Sequence, residues 1–166
     1  MISMYDLTIP PLLRGLRVTA GYVDLAQHEV DIGTIAEAEI LEARLAPDML
    51  SLSAQVQRVS DNAKNGAARL AGGTAPSMVD NEKTLAELRA RTHNTVEYLH
   101  TLERADFSKS EEREIRLTFG LAKQEMTGFD YLTKQLLPNF YFHIATLHGL
   151  MRALGFDVGK RDYLKP

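Results

Sequence analysis

Near the end of the chain, His143 lies within a helical run of apolar residues. At about 100° per residue it shares one arc of that helix with large apolar side chains, namely Phe129, Leu132, Leu136, Phe140, Leu147, Leu150, Met151 and Leu154. A buried imidazole must find a hydrogen-bond partner, because an unpaired buried polar group costs about 1–3 kcal/mol. His143 is therefore either a core histidine bonded to a neighbouring helix, or a ligand or acid–base group facing a pocket at one end of a helical bundle.

A second helical stretch offers partners for this imidazole. Asp48, Gln55 and Asn62 are seven residues apart, so on a helix they follow one edge of its apolar stripe. Such an edge is also what the boundary between core and solvent looks like. Gln55 is the predicted partner, because it lies in mid-helix and an amide can both donate to and accept from an imidazole. Asn139, from the same segment as His143, completes the predicted pocket of His143, Gln55, Asp48 and Asn139.

Two further histidine groupings are candidates for metal binding. His93, Glu97 and His100 share one helix face and are acceptable ligands for a divalent ion, but they lie roughly 100° from the apolar arc of their helix, which predicts a solvated face. His143 and His148 are separated by roughly 140° around their helix and cannot easily hold one metal together. No nucleophile elbow, phosphate loop or pair of catalytic carboxylates occurs, so no metal ligand or catalytic residue is assigned.

Four long helices must position these side chains. Helix one is predicted to begin near Thr8, with Pro10 and Pro11 in its first turn, and a short helix follows over about 35–43. The second and third long helices are predicted over about 47–70 and 81–102, separated by a glycine-rich breaker that starts at Gly72.

The spacing of apolar residues changes from helical to alternating before the last helix. Ile115, Leu117 and Phe119 alternate with polar residues and Gly120 allows a turn, which predicts a small β-hairpin over about 114–126. Thr127 then caps a fourth helix that ends near Leu154 and is kinked at Pro138, and the closing segment 159–164 is predicted to cover one bundle end with Tyr163 and Leu164 packing back. These elements predict an all-α fold, an antiparallel up-and-down four-helix bundle with a small hairpin before the last helix.

The composition sets the broad class of protein. A chain of 166 residues with 45% apolar content is expected to fold as one domain over residues 1–166. The net charge is −3 and no basic stripe stands out, which argues against nucleic acid as a partner. There is no apolar run of membrane-spanning length and no secretory signal, so a cytoplasmic location is expected. The absence of cysteine excludes disulfides and thiolate metal sites.

Several short motifs together resemble one known family. They are LAPDM at 45–49, QVQR at 55–58, TG at 127–128, PNFYFH at 138–143 and GKRDYL at 159–164. On these motifs the chain resembles the uncharacterised bacterial family DUF1993, a domain of unknown function that is grouped with the DinB/YfiT-like helical bundles. The resemblance extends over nearly the whole sequence and implies the four-helix bundle.

The resemblance also implies where a site would lie. Metal-bearing members of the superfamily use three histidines, one from helix two and a pair at i, i+4 from helix four, and several look like thiol-dependent transferases or hydrolases. Here only His143 matches, since its i+4 position is Leu147 and helix two contains no histidine. The resemblance therefore implies the fold and a pocket location, without the metal.

Three functions are compatible with these residues. The first is a bundle protein without a cofactor that binds a small molecule near His143. The second is an enzyme with a divalent metal such as zinc or nickel, held by His143 with Asp48 or Gln55 and water. The third is a structural or interaction protein that forms a homodimer through exposed helix faces.

Overall fold

The first long helix, α1 (Met4–Asp31), starts one turn earlier than its prolines suggest. We describe the protein from a computed structural model that covers residues 2–119 and 122–164. The Ser3 hydroxyl accepts from the Asp6 amide, and the Asp6 carboxylate accepts from the Ser3 amide. The predicted start near Thr8 is wrong because this capping box sets the helix end, and Pro10 and Pro11 lie inside the helix.

Caps also set the ends of the next helices. A short helix, α2 (Glu37–Glu42), is followed by α3 (Leu52–Ala71), which the Ser51 hydroxyl caps by accepting from the Ala54 amide. The predicted start of α3 near residue 47 is therefore a turn too early. The next helix, α4 (Leu85–His100), begins after a capping box at Thr84 and is shorter at both ends than predicted. The break between them is confirmed, with Gly72 in the left-handed conformation.

The predicted hairpin is confirmed. After a 3₁₀ turn (Arg104–Phe107), strand β1 (Glu114–Phe119) pairs antiparallel with β2 (Ala122–Thr127), with Leu117 opposite Gln124. The Ile115 and Leu117 side chains are buried and Arg116 points to solvent, as the alternation requires. The predicted turn at Gly120 lies outside the described residues.

The last long helix begins at the predicted cap and changes its winding before the proline. Thr127 accepts from the Asp130 amide and starts a short α-helical turn, α5 (Gly128–Asp130). A π-helical segment (Tyr131–Leu136) then leads into α6 (Leu137–Ala153). A kink is predicted at Pro138, but the structure has the wider π-helical winding just before it. Proline has no N–H to donate to the carbonyl four residues earlier, and its ring would clash with that carbonyl in a regular α-helix.

The long helices form the predicted bundle. Helices α1 and α3 each pack against both α4 and α6, and the core is mainly leucine, isoleucine and valine with Phe140 completely buried. The four-helix bundle with a hairpin before the last helix is thus confirmed. Among the described residues, no helix combines the length and the apolar character needed to cross a membrane.

Candidate functional site

His143 is buried on α6 and hydrogen-bonds to α3. Its Nδ1 lies 2.7 Å from the Oε1 of Gln55, which is itself only 2% exposed. The Gln55 Nε2 donates to the Leu50 carbonyl at 3.3 Å, so the amide oxygen faces the ring. Since an amide oxygen only accepts, the His143 Nδ1–H donates. A neutral His143 therefore carries its proton on Nδ1 and presents Nε2 as a lone-pair acceptor.

The His143 Nε2 has no hydrogen-bond partner in the described part of the chain. Within residues 2–119 and 122–164, no group hydrogen-bonds to Nε2, and the atom is not among the fully buried unpaired ones, which are Thr8 Oγ1 and Arg91 Nε. It therefore keeps some contact with solvent. The neighbouring Phe142 ring stands edge-on to the imidazole, with centroids 5.4 Å apart, and is 57% exposed. An oriented acceptor thus lies beside an exposed aromatic ring.

The surroundings keep this imidazole neutral. Burial is the main cause that lowers the pKa of His143 below its usual value, and the nearby Arg58 guanidinium lowers it further. At neutral pH the ring is therefore an acceptor at Nε2, rather than a cation.

The predicted pocket residues do not all come together. Asn139 donates from Nδ2 to the Asn62 Oδ1 at 2.8 Å, so Asn62 and Gln55 both face α6 from α3. Asp48 is different: it is exposed in the turn before α3, because the helix begins only at Leu52. The helical spacing expected between Asp48 and Gln55 is therefore wrong, and none of the hydrogen bonds among the described residues joins Asp48 to His143.

The sequence reasoning missed a third contact along the same line. Arg69 follows Asn62 by seven residues, and its Nη1 donates to the Tyr131 hydroxyl at 3.2 Å. The signal in the sequence for this contact is the seven-residue spacing, which continues from Gln55 and Asn62 to Arg69. We call the three contacts Gln55–His143, Asn62–Asn139 and Arg69–Tyr131 the polar seam. A groove of about 380 Å³ opens beside its last two contacts and is lined by Asn62, Arg69, Arg116, Leu117, Thr118, Tyr131, Gln135, Leu136 and Asn139.

Three other histidines, His93, His100 and His148, are not part of the polar seam. His93, Glu97 and His100 are exposed on α4, as the helical spacing predicted. His148 lies 2.6 Å from the Tyr22 hydroxyl through Nδ1, away from the polar seam. Within the part of the chain that the structure describes, no group of three or more His, Cys, Asp or Glu side chains could hold a metal ion.

The C-terminal segment covers the side of the bundle that carries His148. A short helix, α7 (Lys160–Leu164), places the Tyr163 ring 5.9 Å from that imidazole, and Arg14 donates to the Tyr163 carbonyl. Burial, with Asp162 and Tyr163 nearby, raises the pKa of Tyr22 to about 12, so its hydroxyl stays protonated and donates to His148. The predicted packing of Leu164 is wrong, since this side chain is 52% exposed.

The protonation state of His143 can be measured directly. We expect long-range ¹H–¹⁵N NMR to show a neutral, Nδ1-protonated ring at neutral pH that titrates below the usual histidine pKa of about 6.5. The Gln55→Leu substitution should remove the preference for Nδ1, because the acceptor is gone. Because the folded pKa is lowered, His143 contributes stability at high pH that is lost as the pH falls from the unfolded pKa through the folded one. A His143 ring that is Nε2-protonated, or whose pKa is at or above the usual histidine value of about 6.5, would contradict this assignment.

Comparison with known proteins gives the family. The family model described as Domain of unknown function (DUF1993) matches residues 4–164. A crystal structure of a DinB family member protein from Shewanella denitrificans is similar with a TM-score of 0.91, at 36% sequence identity, over 98% of this chain and 92% of that chain. No curated protein matches the sequence. The chain therefore belongs to the DUF1993 family, on a bundle shared with a DinB family member.

Proposed function

We propose that this protein binds a small molecule at the His143 end of the polar seam, within one domain that spans residues 1–166, and without the three-histidine metal site of the DinB-like superfamily. The observation that carries the proposal is the pairing of Gln55 with His143, which leaves Nε2 as an oriented acceptor without a partner among the described residues. Sites between bundle helices are a common location for ligands.

The neighbouring groups suggest the kind of ligand. Nε2 accepts a hydrogen bond from an N–H or O–H group, and the exposed Phe142 ring offers an apolar face beside it. Because Gln55 is buried and holds the imidazole at 2.7 Å, little ordering of the site is needed on binding. A small molecule with a donor group and a flat apolar part fits this arrangement.

A metal-dependent enzyme is the second candidate, and one observation favours it. A histidine that ligates a metal usually donates its other ring N–H to an oxygen acceptor, as His143 does to Gln55. The other ligands of the superfamily site do not fit, because Leu147 is fully buried at the i+4 position and α3 contains no histidine. A single imidazole with amide groups is a poor set for zinc or nickel.

Metal analysis and ligand screening of the same preparation separate these candidates. For untagged protein purified without chelator, we expect mass spectrometry to find far less than one equivalent of zinc or nickel. A thermal-shift screen of small molecules should give hits that stabilise the protein, that are lost in His143→Phe and that are kept in His93→Phe, the control on an exposed face of α4.

Other outcomes assign the function differently. One equivalent of metal that disappears in His143→Ala would overturn the small-molecule proposal and support the enzyme. Hits that are unaffected in His143→Phe would also overturn it. The remaining alternative, a homodimer formed through exposed helix faces, predicts sedimentation at twice the chain mass. Phe142→Ser, which removes an exposed apolar side chain from α6, would then return the protein to the mass of one chain.

A further inference from the structure

We infer that the groove at the Arg69 end of the polar seam is an anion-binding site for a small organic carboxylate or phosphate, held by the Arg69 guanidinium and the Tyr131 hydroxyl. This goes beyond the site proposed at His143. Gln55 and Arg69 are 14 residues apart on α3, which is roughly 21 Å of helix rise, so one small molecule does not reach both ends.

The charge of Arg69 is available to a ligand. No carboxylate among the described residues pairs with Arg69, whereas the other arginine of the groove, Arg116, pairs with Glu114 at 2.7 Å and with Glu125 at 3.2 Å. None of the described residues that line the groove is Asp or Glu. Arg69 therefore supplies an uncompensated positive charge to the groove.

The carbonyl of Leu70 at the C-terminal end of α3 is also bonded to residues other than Arg69. Unpaired carbonyls at a helix C-terminus attract cationic side chains, so such carbonyls would compete with an anion for the Arg69 guanidinium. Here the Leu70 carbonyl accepts from the Ser110 hydroxyl and from Arg113 Nη1, both at 2.8 Å. Arg113 thus bonds to the end of α3, and the Arg69 guanidinium contacts Tyr131 in the groove.

Tyr131 supplies a second donor. Its side chain is 3% exposed and lines the groove, and its hydroxyl oxygen accepts from Arg69 at 3.2 Å. In this contact the hydroxyl accepts, and none of the hydrogen bonds among the described residues uses its O–H, which can therefore donate to a ligand. Burial raises the pKa of Tyr131, against the opposing effect of Arg69, so the phenol keeps its proton.

The backbone around these donors is unusual. Tyr131 and Gln135 both belong to the π-helical segment and both line the groove. Short π-helical stretches occur frequently at functional sites. The Gln135 amide has no hydrogen-bond partner among the described residues, so it can join Arg69 and Tyr131 in contacting a ligand.

Shape and volume indicate the ligand class. A guanidinium presents a planar fork of N–H donors that matches the oxygens of a carboxylate or a phosphate. A groove of about 380 Å³ lies within the range of small-molecule sites. The two sources of such oxygens, an organic acid and a phosphate ester, are distinguished by the probe used.

Isothermal titration calorimetry with succinate and, separately, with inorganic phosphate tests this site. We expect the full chain to bind at least one probe, and Arg69→Gln to weaken that binding by about tenfold or more. Arg89→Gln makes the same charge change on an exposed arginine of α4 and should leave binding unchanged. Arg69→Lys, which keeps the charge but loses the fork, should fall in between, and Tyr131→Phe should weaken binding several-fold.

The outcomes are distinguishable from those at His143. The His143→Phe variant should bind each probe as the unsubstituted chain does, so failure of the proposed function at His143 does not affect this test. Equal weakening in Arg69→Gln and Arg89→Gln would show only a general charge effect and would overturn the site. Lack of binding of either probe at millimolar concentration, with Arg69→Gln folded as judged by circular dichroism, would also overturn it.

Discussion

Replacing Arg91 with leucine is expected to lower the free energy of unfolding by about 3–5 kcal/mol, the usual cost of removing one partner from a buried ionic cluster. Arg91 is only 3% exposed. Its guanidinium lies 2.8 Å from a carboxylate oxygen of each of Asp61, Asp80 and Glu82. These three acids come from α3 and from the segment that leads into α4, so the arginine ties that segment to the bundle.

Without Arg91, less positive charge lies beside the three carboxylates, and their mutual repulsion is less well balanced. Lys64, at 3.2 Å, and Arg58, at 3.5 Å, still pair with Asp61, but neither replaces the contact with Glu82. Burial alone would raise the pKa of Glu82, but hydrogen bonds from Arg91 and Gln57 hold it below its usual value. That carboxylate therefore contributes stability above the unfolded pKa, which is lost as the pH falls through the folded one.

Urea denaturation measures this effect, with Arg89→Leu as the matched control. Arg89 also pairs with one carboxylate, Asp24, but both side chains are largely exposed, so its loss should cost below about 1 kcal/mol. Arg91→Leu should also be less sensitive to acid than the unsubstituted chain, because Glu82 loses its partner. Equal losses in the two variants would show that the buried cluster does not stabilise the fold.

Adding one methyl group at Gly15 is expected to destabilise the protein by about 1–3 kcal/mol, the usual cost of overpacking a filled core. A Cβ at this position of α1 would lie 2.6 Å from both Phe140 Cζ and Ile144 Cδ1. Phe140 is completely buried and Ile144 is 1% exposed, so neither side chain has room to move away. The close approach of α1 to α6 therefore requires glycine here.

Gly21→Ala is the control within the same helix. Nothing lies within 4 Å of the Cβ that alanine would add there, so we expect a gain of about 0.5–1 kcal/mol from helix propensity. Thermal and urea unfolding of both variants should give changes of opposite sign. Phe140→Leu in the Gly15→Ala background should recover part of the loss if the two positions are coupled. A stabilised Gly15→Ala variant would contradict the packing of α1 on α6.

The residue at which a helix begins is not determined by the hydrophobic pattern of the sequence. Hydrophobic periodicity and helix-breaking residues place each long helix in the sequence, but the hydroxyl group that caps the helix decides its first residue. Ser3, Ser51 and Thr84 are the caps in the structure, so α1 starts earlier and α3 and α4 start later than predicted. The displaced start of α3 is also why Asp48 is separated from Gln55.

The sequence by itself determined the four-helix bundle, the hairpin before the last helix, the family, and Gln55 as the partner expected for His143. These follow from local periodicity and from motifs, which are properties of neighbouring residues. Only the tertiary structure decided which ring nitrogen of His143 carries the proton, that Arg69 donates to Tyr131, and that Arg91 pairs with three acids. Each of these depends on hydrogen bonds and ion pairs between elements distant in sequence, whose geometry is set when the helices pack.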